Sequence, residues 1–321
     1  MSYSPTQFSG LSSLFKVDLK LFVLVMLIVI IGLATLFSVS GGDVNLIIKQ
    51  SIRIAVGLTA MIILAQIHPD NFRLFSPFLY FFGIILLVLT IFFGVGKSAD
   101  RWLDFYILRF QPSELMKLFI PLMIASFYSD KALPPKLKNL SIAVIIIVVP
   151  ALLIAKQPDL GTALLITSSG VIAIFLSGIK LAHIFLGTAL VIGAIPLLWS
   201  FMYEYQKSRV LSFFSPNTDA LGTGYHLAQS KISLGSGGLF GKGYMNGTQS
   251  QLDFLPENHT DFIFSAFGEE FGFIGVIILI SLYVLVVLRG MSISIKATDN
   301  FSRILSATLI LTIFLYVLVN V

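Results

Sequence analysis

The sequence predicts an all-α membrane protein, a polytopic bundle of transmembrane helices. Hydrophobic residues make up 56% of the 321-residue chain and charged residues only 12%, and the mean hydropathy is +0.94. Several apolar runs reach the roughly 20 residues that a helix needs to cross a bilayer. The chain has no sustained alternation of apolar and polar residues, which argues against a membrane barrel of β-strands.

The apolar runs define about nine spans, and a large loop precedes the eighth. The predicted spans cover residues 20–39, 46–66, 74–95, 112–128, 140–155, 160–178, 181–202, 261–288 and 303–321. The loop covers residues 203–260, and we expect residues 1–321 to form a single integral membrane domain. The ninth span reaches the last residue, Val321, so we expect the chain to be cut short.

The distribution of basic residues predicts a cytoplasmic N-terminus. In that orientation the inner segments contain Lys16, Lys20, Arg73, Lys131, Lys136, Lys138, Lys180, Arg289, Lys296 and Arg303. The short outer loops contain only Lys97, Arg101, Arg109 and Lys156. The large loop is then extracytoplasmic. The net charge of +5 is ordinary for a membrane protein with basic cytoplasmic loops and does not indicate nucleic acid binding.

Four charged residues fall inside or at the start of predicted spans, where a charge costs about 2.5–3.5 kcal/mol on insertion scales. Lys49 and Arg53 are four residues apart, so they share one face of the second span and cannot neutralise each other. Glu114 and Lys117 are three apart on the fourth span and can pair. One interpretation is structural ion pairing between helices. The other is a polar cavity that binds an anion.

The short outer loops carry further candidates. The stretch KSADRWLDFYILRFQPSELMK contains Arg101, Trp102 and Arg109, and KQPDLGTA contains Asp159. Arginine side chains match phosphate oxygens well, so these loops could line the same anion site. Trp102 also sits where an interfacial aromatic anchor is expected, and that alternative stays open.

The large loop contains a glycine-rich stretch, GYHLAQSKISLGSGGLFGKGYMNGTQSQ, that invites comparison with a phosphate-binding loop. The comparison fails, because Ser236 stands where the first glycine of that motif belongs and Gly243 replaces its Ser or Thr. A flexible, closely packed substrate loop is more plausible. Ordinary turn glycines are the simpler alternative.

The stretch FLPENHTDFIFSAFGEEFG holds four carboxylates just where the eighth span begins. Thr260 can cap the helix, which would place Asp261 in its first turn, where a helix-dipole role is the simplest reading. Glu269 and Glu270 lie about two turns deeper. Because adjacent helical residues point about 100° apart, these two acids are expected to have different structural partners. No pair of histidines has the spacing of metal ligands.

These stretches, together with LYVLVN near the end of the chain, resemble the SEDS family of shape, elongation, division and sporulation proteins. The resemblance covers the chain from about Leu19 to Val321 and is strongest to the branch that elongates rod-shaped cells. It implies ten transmembrane helices, one more than this sequence contains. It also implies a peptidoglycan glycosyltransferase that polymerises lipid II and works with a class B penicillin-binding protein and the elongation machinery.

The same resemblance implies roles for individual residues. The family's essential aspartate matches Asp261, in HTDF, and its functional tryptophan matches Trp102. The Glu and Lys of the family's QPSExxK motif match Glu114 and Lys117, and the Asp of its QPDLGT motif matches Asp159. The remaining candidates for substrate binding are Lys49, Arg53, Arg101, Arg109 and His259.

The implied reaction is an attack by a sugar hydroxyl on the anomeric carbon of the donor, with inversion and loss of undecaprenyl pyrophosphate. One carboxylate acting as general base supplies roughly 10²–10⁴ in rate, which suits Asp261. The leaving pyrophosphate needs positive charge rather than an acid. A divalent cation could share that work, although the sequence offers no clear ligand set. The alternatives are a lipid II transporter, or flippase, and a non-catalytic scaffold for the penicillin-binding protein.

Overall fold

The computed structural model describes residues 16–96, 101–104, 109–202, 207, 211, 223–251 and 260–320. The helices are α1 (Leu19–Val39), α2 (Val44–Gln66), α3 (Pro69–Phe93), α4 (Pro112–Ser129), α5 (Leu137–Lys156), α6 (Leu160–Leu176), α7 (Leu181–Phe201), α8 (Thr223–Ser236), α9 (Thr248–Gln251), α10 (Ile263–Ile295) and α11 (Asn300–Asn320). Two short antiparallel strands, β1 (Leu103–Asp104) and β2 (Arg109–Phe110), form a hairpin between α3 and α4.

Each of the nine predicted spans falls on one helix of the structure, which confirms the all-α membrane class. Within the described residues, six helices are long and apolar enough to cross a membrane: α1, α2, α3, α5, α10 and α11. Large apolar side chains are exposed along them, such as Phe78 at 70% and Phe92 at 74%. Such surfaces are expected where a helix faces lipid. The total of nine spans stays a prediction.

The sequence explains where several helices begin. The Asp18 carboxylate accepts a hydrogen bond from the Leu21 amide at 2.9 Å and caps α1. Asp159 caps α6 in the same way. Helices α3 and α4 each start with a proline, Pro69 and Pro112, whose fixed φ and missing N–H suit the first helical position.

The described residues divide into two compact units. The first lies within Met1–Gln66, Trp199–Arg289 and Val317–Val321, and the second within Ile67–Leu198 and Gly290–Tyr316. The predicted single domain over residues 1–321, with its loop over 203–260, stays a prediction. Part of that loop is helical, as α8 and α9 show.

The second unit has a closely packed apolar core between α3, α4, α5 and α6, with residues of α11. Met116, Ile120 and Ile124 of α4 are fully buried in it. A Cβ on Gly83 of α3 would stand 2.3 Å from the Met116 sulfur, so the absence of a side chain there lets the two helices approach.

In the first unit, α10 is interrupted at Gly272, whose φ of 66° and ψ of −168° are not helical. Such a conformation favours glycine, since a residue with a Cβ would be strained there. The helix therefore runs as two segments, and the break follows directly after Glu269 and Glu270.

Candidate functional site

A cavity of about 460 Å³ opens in the first unit between α1, α2 and the start of α10. Its polar lining comes from Lys49, Gln50 and Arg53 of α2 and from Thr260 just before α10. The rest of the wall is mainly aliphatic, including Leu33 and Leu36 of α1. The predicted shared face of Lys49 and Arg53 is therefore the cavity face of α2.

The two cations of this cavity lack an acidic partner in the part of the chain that the structure describes. Among the residues that the structure describes, no carboxylate lies within 4.0 Å of Lys49 or Arg53. Within the described ranges, Arg53 makes a long hydrogen bond from its Nη1 to the Gln50 side-chain oxygen at 3.4 Å. Of the two interpretations of these charges, structural pairing and anion binding, the geometry favours anion binding.

Asp261 lies in the turn that leads into α10 and is exposed. The helix begins at Ile263, so the expectation that Asp261 belongs to its first turn was wrong by two residues. In sequence, Asp261 stands between Thr260 and Ile263, which both line the cavity. A carboxylate in this position is free of helical constraint and is open to solvent at the edge of a cationic cavity.

Glu269 is fully buried and organises the polypeptide around it. Its Oε1 accepts a hydrogen bond from the Lys242 ammonium at 2.6 Å, and its two oxygens accept from the Gln249 amide at 3.1 and 3.2 Å. Three hydroxyl groups also donate to it, from Thr248 at 3.0 Å, Ser233 at 3.3 Å and Ser236 at 3.4 Å. One carboxylate thus joins α8, the following loop and α9 to α10.

Glu270 has a different set of partners, as predicted for adjacent helical acids. It is 1% exposed and accepts a hydrogen bond from the Ser38 hydroxyl of α1 at 2.5 Å. The Ser38 oxygen in turn accepts from the Met245 amide at 3.0 Å. Glu270 therefore fixes α1 and the loop after α8 to the same point on α10. Both glutamates act structurally, which confirms the structural interpretation.

The glycine-rich stretch is a packing element. The amides of Lys242 and Gly243 donate to the carbonyl oxygens of Glu269 and Glu270, both at 3.0 Å. A Cβ on Gly241 would stand 2.0 Å from the Glu270 carbonyl oxygen. Because these amides already donate to backbone carbonyl oxygens, they are not available to bind a phosphate. This supports the rejection of a phosphate-binding loop.

In the second unit, Asp159 is the centre of a buried polar cluster. Its side chain is 8% exposed and lies 3.3 Å from the Arg101 guanidinium. It accepts hydrogen bonds from the Gln111 amide group at 3.0 Å and from Thr162, through its backbone at 3.2 Å and its hydroxyl at 2.9 Å. This arrangement ties the loop before β1 to the starts of α4 and α6.

Glu114 and Lys117 pair as the sequence predicted, at 2.7 Å. Lys117 is the more buried partner, with its side chain 19% exposed, and its ammonium lies 4.7 Å from the centre of the Tyr316 ring on α11. The Glu114 carboxylate is 54% exposed. This pair links α4 to α11 and still presents a carboxylate at the surface.

Trp102 and Arg109 lie at the hairpin. The backbone of Trp102 pairs with Val95, and 39% of the residue is exposed. Arg109 faces Asp104 across the hairpin at 3.3 Å, with both side chains largely exposed. The salt bridge therefore adds little stability, and the guanidinium stays accessible to a ligand.

The structure thus brings Lys49 and Arg53 together in the cavity of the first unit, whose lining also includes Thr260 and Ile263 on either side of Asp261 in sequence. In the second unit it brings together Arg101 and Asp159, and it places Trp102 and Arg109 at the hairpin. His259 lies outside the described residues. Sequence reasoning missed Gln50 and the Asp159 partner Gln111. The i+3 spacing of Gln50 and Arg53 could have revealed the first, whereas the second depends on tertiary contact.

Among the described residues no group of His, Asp and Glu could hold a metal ion.

The fold and the site define a polytopic α-helical membrane protein with a cationic cavity and an acidic residue at its edge. A family model described as cell cycle protein, for proteins of the FtsW, RodA and SpoVE type, matches residues 13–321. The chain therefore belongs to this family, and the resemblance to the SEDS proteins is confirmed.

Individual relatives agree with this assignment. The chain is 45% identical over 306 residues to the peptidoglycan glycosyltransferase MrdB of Escherichia coli K12, covering 95% of this chain and 83% of that protein. A solved structure described as the structural coordination of polymerization and crosslinking by a peptidoglycan synthase complex matches with a TM-score of 0.81 and 26% identity, over 94% of this chain and 85% of the other. The crystal structure of the Thermus thermophilus rod shape determining protein RodA matches with a TM-score of 0.69 and 25% identity, over 94% and 83%.

Proposed function

We propose that this chain is a peptidoglycan glycosyltransferase that polymerises lipid II into β-1,4-linked glycan strands for cell-wall elongation and rod shape. The family and the 45% identity to MrdB support the reaction class. The single structural observation that carries the proposal is the cavity in which Lys49 and Arg53 lack a carboxylate partner among the described residues, with Asp261 at its edge. Such a cavity suits an anionic leaving group next to a general base.

Asp261 acts as the general base in this mechanism. Its carboxylate takes the proton from the acceptor's C4 hydroxyl as that oxygen attacks the anomeric carbon of the donor. A new β bond formed from an α-linked donor requires one displacement with inversion. A single base is enough, because the pyrophosphate leaves as a stable anion and needs no protonation by a second carboxyl group.

Lys49 and Arg53 stabilise the departing pyrophosphate of the lipid carrier. Charge that develops on the phosphate oxygens in the transition state is best stabilised by cations already in place. The Arg53 guanidinium can bind two phosphate oxygens at once, and Lys49 adds a compact point charge one helical turn away. The aliphatic walls of the cavity suit the first isoprene units of the carrier.

The predicted site residues of the second unit divide into two groups. Asp159 and the Glu114–Lys117 pair are engaged in interhelical contacts and hold the shape of the loops. Trp102 and Arg109 have exposed side chains that can contact the sugar or the phosphate. His259, two residues before Asp261, is a further proposed contact to the sugar.

The proposed location is the bacterial cytoplasmic membrane with the N-terminus in the cytoplasm, and the distribution of basic residues in short loops supports this orientation. Asp261 then faces the outside, where the glycan strand is built. A class B penicillin-binding protein of the elongation machinery is the proposed partner. The structural similarity to a chain of a complex that couples polymerization and crosslinking supports this partnership.

The test is polymerisation of fluorescent lipid II by the purified chain with its class B partner, read as glycan strands on a gel. Asp261→Asn keeps the shape of the side chain and removes its basicity, so we expect polymer formation to fall by at least about 10²-fold. Lys49→Gln should also lower the maximal rate, because it removes a cation that stabilises the leaving pyrophosphate in the transition state. Asp70→Asn, an exposed acid at the start of α3, is the matched control and should polymerise normally.

A wild-type polymer yield from Asp261→Asn would defeat the assignment of the base. If the wild type makes no polymer but moves lipid II across a vesicle membrane, the chain is a transporter. If it does neither and still binds the penicillin-binding protein, it is a scaffold.

A further inference from the structure

The turn after α8 carries two large apolar side chains that have little protein around them. Leu239 is 63% exposed and Phe240 is 80% exposed, although the neighbouring backbone is tightly packed. Tyr244 follows at 43% exposure. Exposed apolar side chains at the tip of a rigid turn need an apolar environment of their own.

The turn is fixed against the membrane helix α10. The Phe273 amide donates to the Gly238 carbonyl at 2.9 Å, and the Ile274 amide donates to the Leu239 carbonyl at 3.2 Å. Phe273 and Ile274 are themselves 57% and 45% exposed. The tip and this part of α10 therefore form one apolar surface, which continues along the lipid-facing side of the helix.

The position along α10 indicates the depth of the turn. From Phe271 to Leu288 the helix contains no charged residue, and Arg289 marks one end of this stretch through its ion pair with Asp18 at 2.6 Å. A hydrocarbon core about 30 Å thick takes up about 20 helical residues. The uncharged helical segment after the break at Gly272 runs from Phe273 to Leu288 and is about 24 Å long at 1.5 Å per residue. The turn, which is bonded to Phe273 and Ile274, therefore lies near the end of the hydrocarbon core that is opposite Arg289.

We propose that Leu239 and Phe240 insert into the acyl chains at the membrane boundary on the side of Asp261. The occupant of this surface is bilayer lipid, because the surface is continuous with a helix face already at that depth. Tyr244 and Lys242 lie next to the tip, and such aromatic and cationic residues are common at a membrane boundary. The Lys242 ammonium is paired with the Glu269 carboxylate at 2.6 Å, so the positive charge of the turn has a buried partner.

The anchor has a consequence for the loop that precedes α10. Glu269 and Glu270 connect the turn to α8, α9 and α1, so an anchored tip holds this whole segment at the boundary. A membrane-bound substrate presents its reactive groups at that level.

The experiment uses the absence of native cysteine. Leu239→Cys and Phe240→Cys are made in the full chain, labelled with a nitroxide, and placed in nanodiscs of phosphatidylethanolamine and phosphatidylglycerol. Collision rates with oxygen, which concentrates in hydrocarbon, are compared with those of a water-soluble nickel complex. Ile277→Cys, an exposed position one turn further along α10, reports hydrocarbon. Thr298→Cys, exposed in the loop after α10, reports water.

We expect the oxygen-to-nickel ratio at both tip positions to shift from that of Thr298→Cys toward that of Ile277→Cys. A ratio equal to that of Thr298→Cys would overturn the proposal, since the tip would then lie in water. Low collision rates with both reagents would also overturn it, because a second copy of the chain or another protein would then cover the tip.

Discussion

Replacement of Glu269 tests whether one buried carboxylate holds the loop after α8 in place. In Glu269→Ala, the Lys242 ammonium, the Gln249 amide and three hydroxyl groups lose their shared acceptor. Removing one partner of a buried ion pair costs about 3–5 kcal/mol. Lys242 is 28% exposed and can turn to water, so the lower end, about 3 kcal/mol, is expected.

The conservative variant separates charge from shape. Glu269→Gln keeps one acceptor oxygen but loses the charge that strengthens these hydrogen bonds, so the expected loss is about 1–2 kcal/mol. Asp130→Asn is the matched control, because Asp130 also pairs with a cation at 2.6 Å but is 73% exposed. Its loss should stay below about 1 kcal/mol.

The free energy of unfolding is measured by denaturant titration in mixed micelles, followed by circular dichroism. Hydrogen exchange of residues 237–249 is a local readout, and these amides should exchange faster in Glu269→Ala than in Asp130→Asn. Equal losses in the Glu269 and Asp130 variants would refute the argument, because burial would then have no effect on the strength of the pair.

Two further predictions concern the first unit. The hydrogen bond from Arg289 holds the pKa of the Asp18 carboxyl below its usual value of 3.8, so the stability from this pair is complete above that pH and is lost as the pH falls through the lowered pKa. In Asp18→Asn, the free energy of unfolding should therefore fall less steeply as the pH is lowered, with a total difference of up to about 1 kcal/mol. An unchanged dependence on pH would contradict this. Gly241→Ala should cost more than about 1 kcal/mol, since φ is 79° and the new Cβ would collide with the Glu270 carbonyl. The control is Gly235→Ala, because Gly235 lies in α8 with open space around it. In the same denaturant titration this variant should be neutral or more stable by up to about 1 kcal/mol. Similar losses of stability in both variants would exclude a steric cause.

The glycine-rich stretch shows how far local sequence could lead. Its spacing excluded a phosphate-binding loop, because Ser236 and Gly243 occupy the wrong positions. Which groups the loop amides would bind instead could not be predicted. The carbonyls of Glu269 and Glu270 are exposed to them only because α10 breaks at Gly272, and a glycine within an apolar run does not by itself indicate a break.

The sequence by itself determined the membrane class, the approximate place of the helices that match the nine predicted spans, the shared face of Lys49 and Arg53 and the pairing of Glu114 with Lys117. These features depend on apolar run length and on helical periodicity, which act over one or a few turns. Only the tertiary structure decided which polar and charged side chains of the described residues meet each other. Asp159 meets Gln111 from 48 residues away, and Glu270 meets Ser38 from 232 residues away, because the packing of helices brings together side chains whose separation along the chain carries no information about their distance.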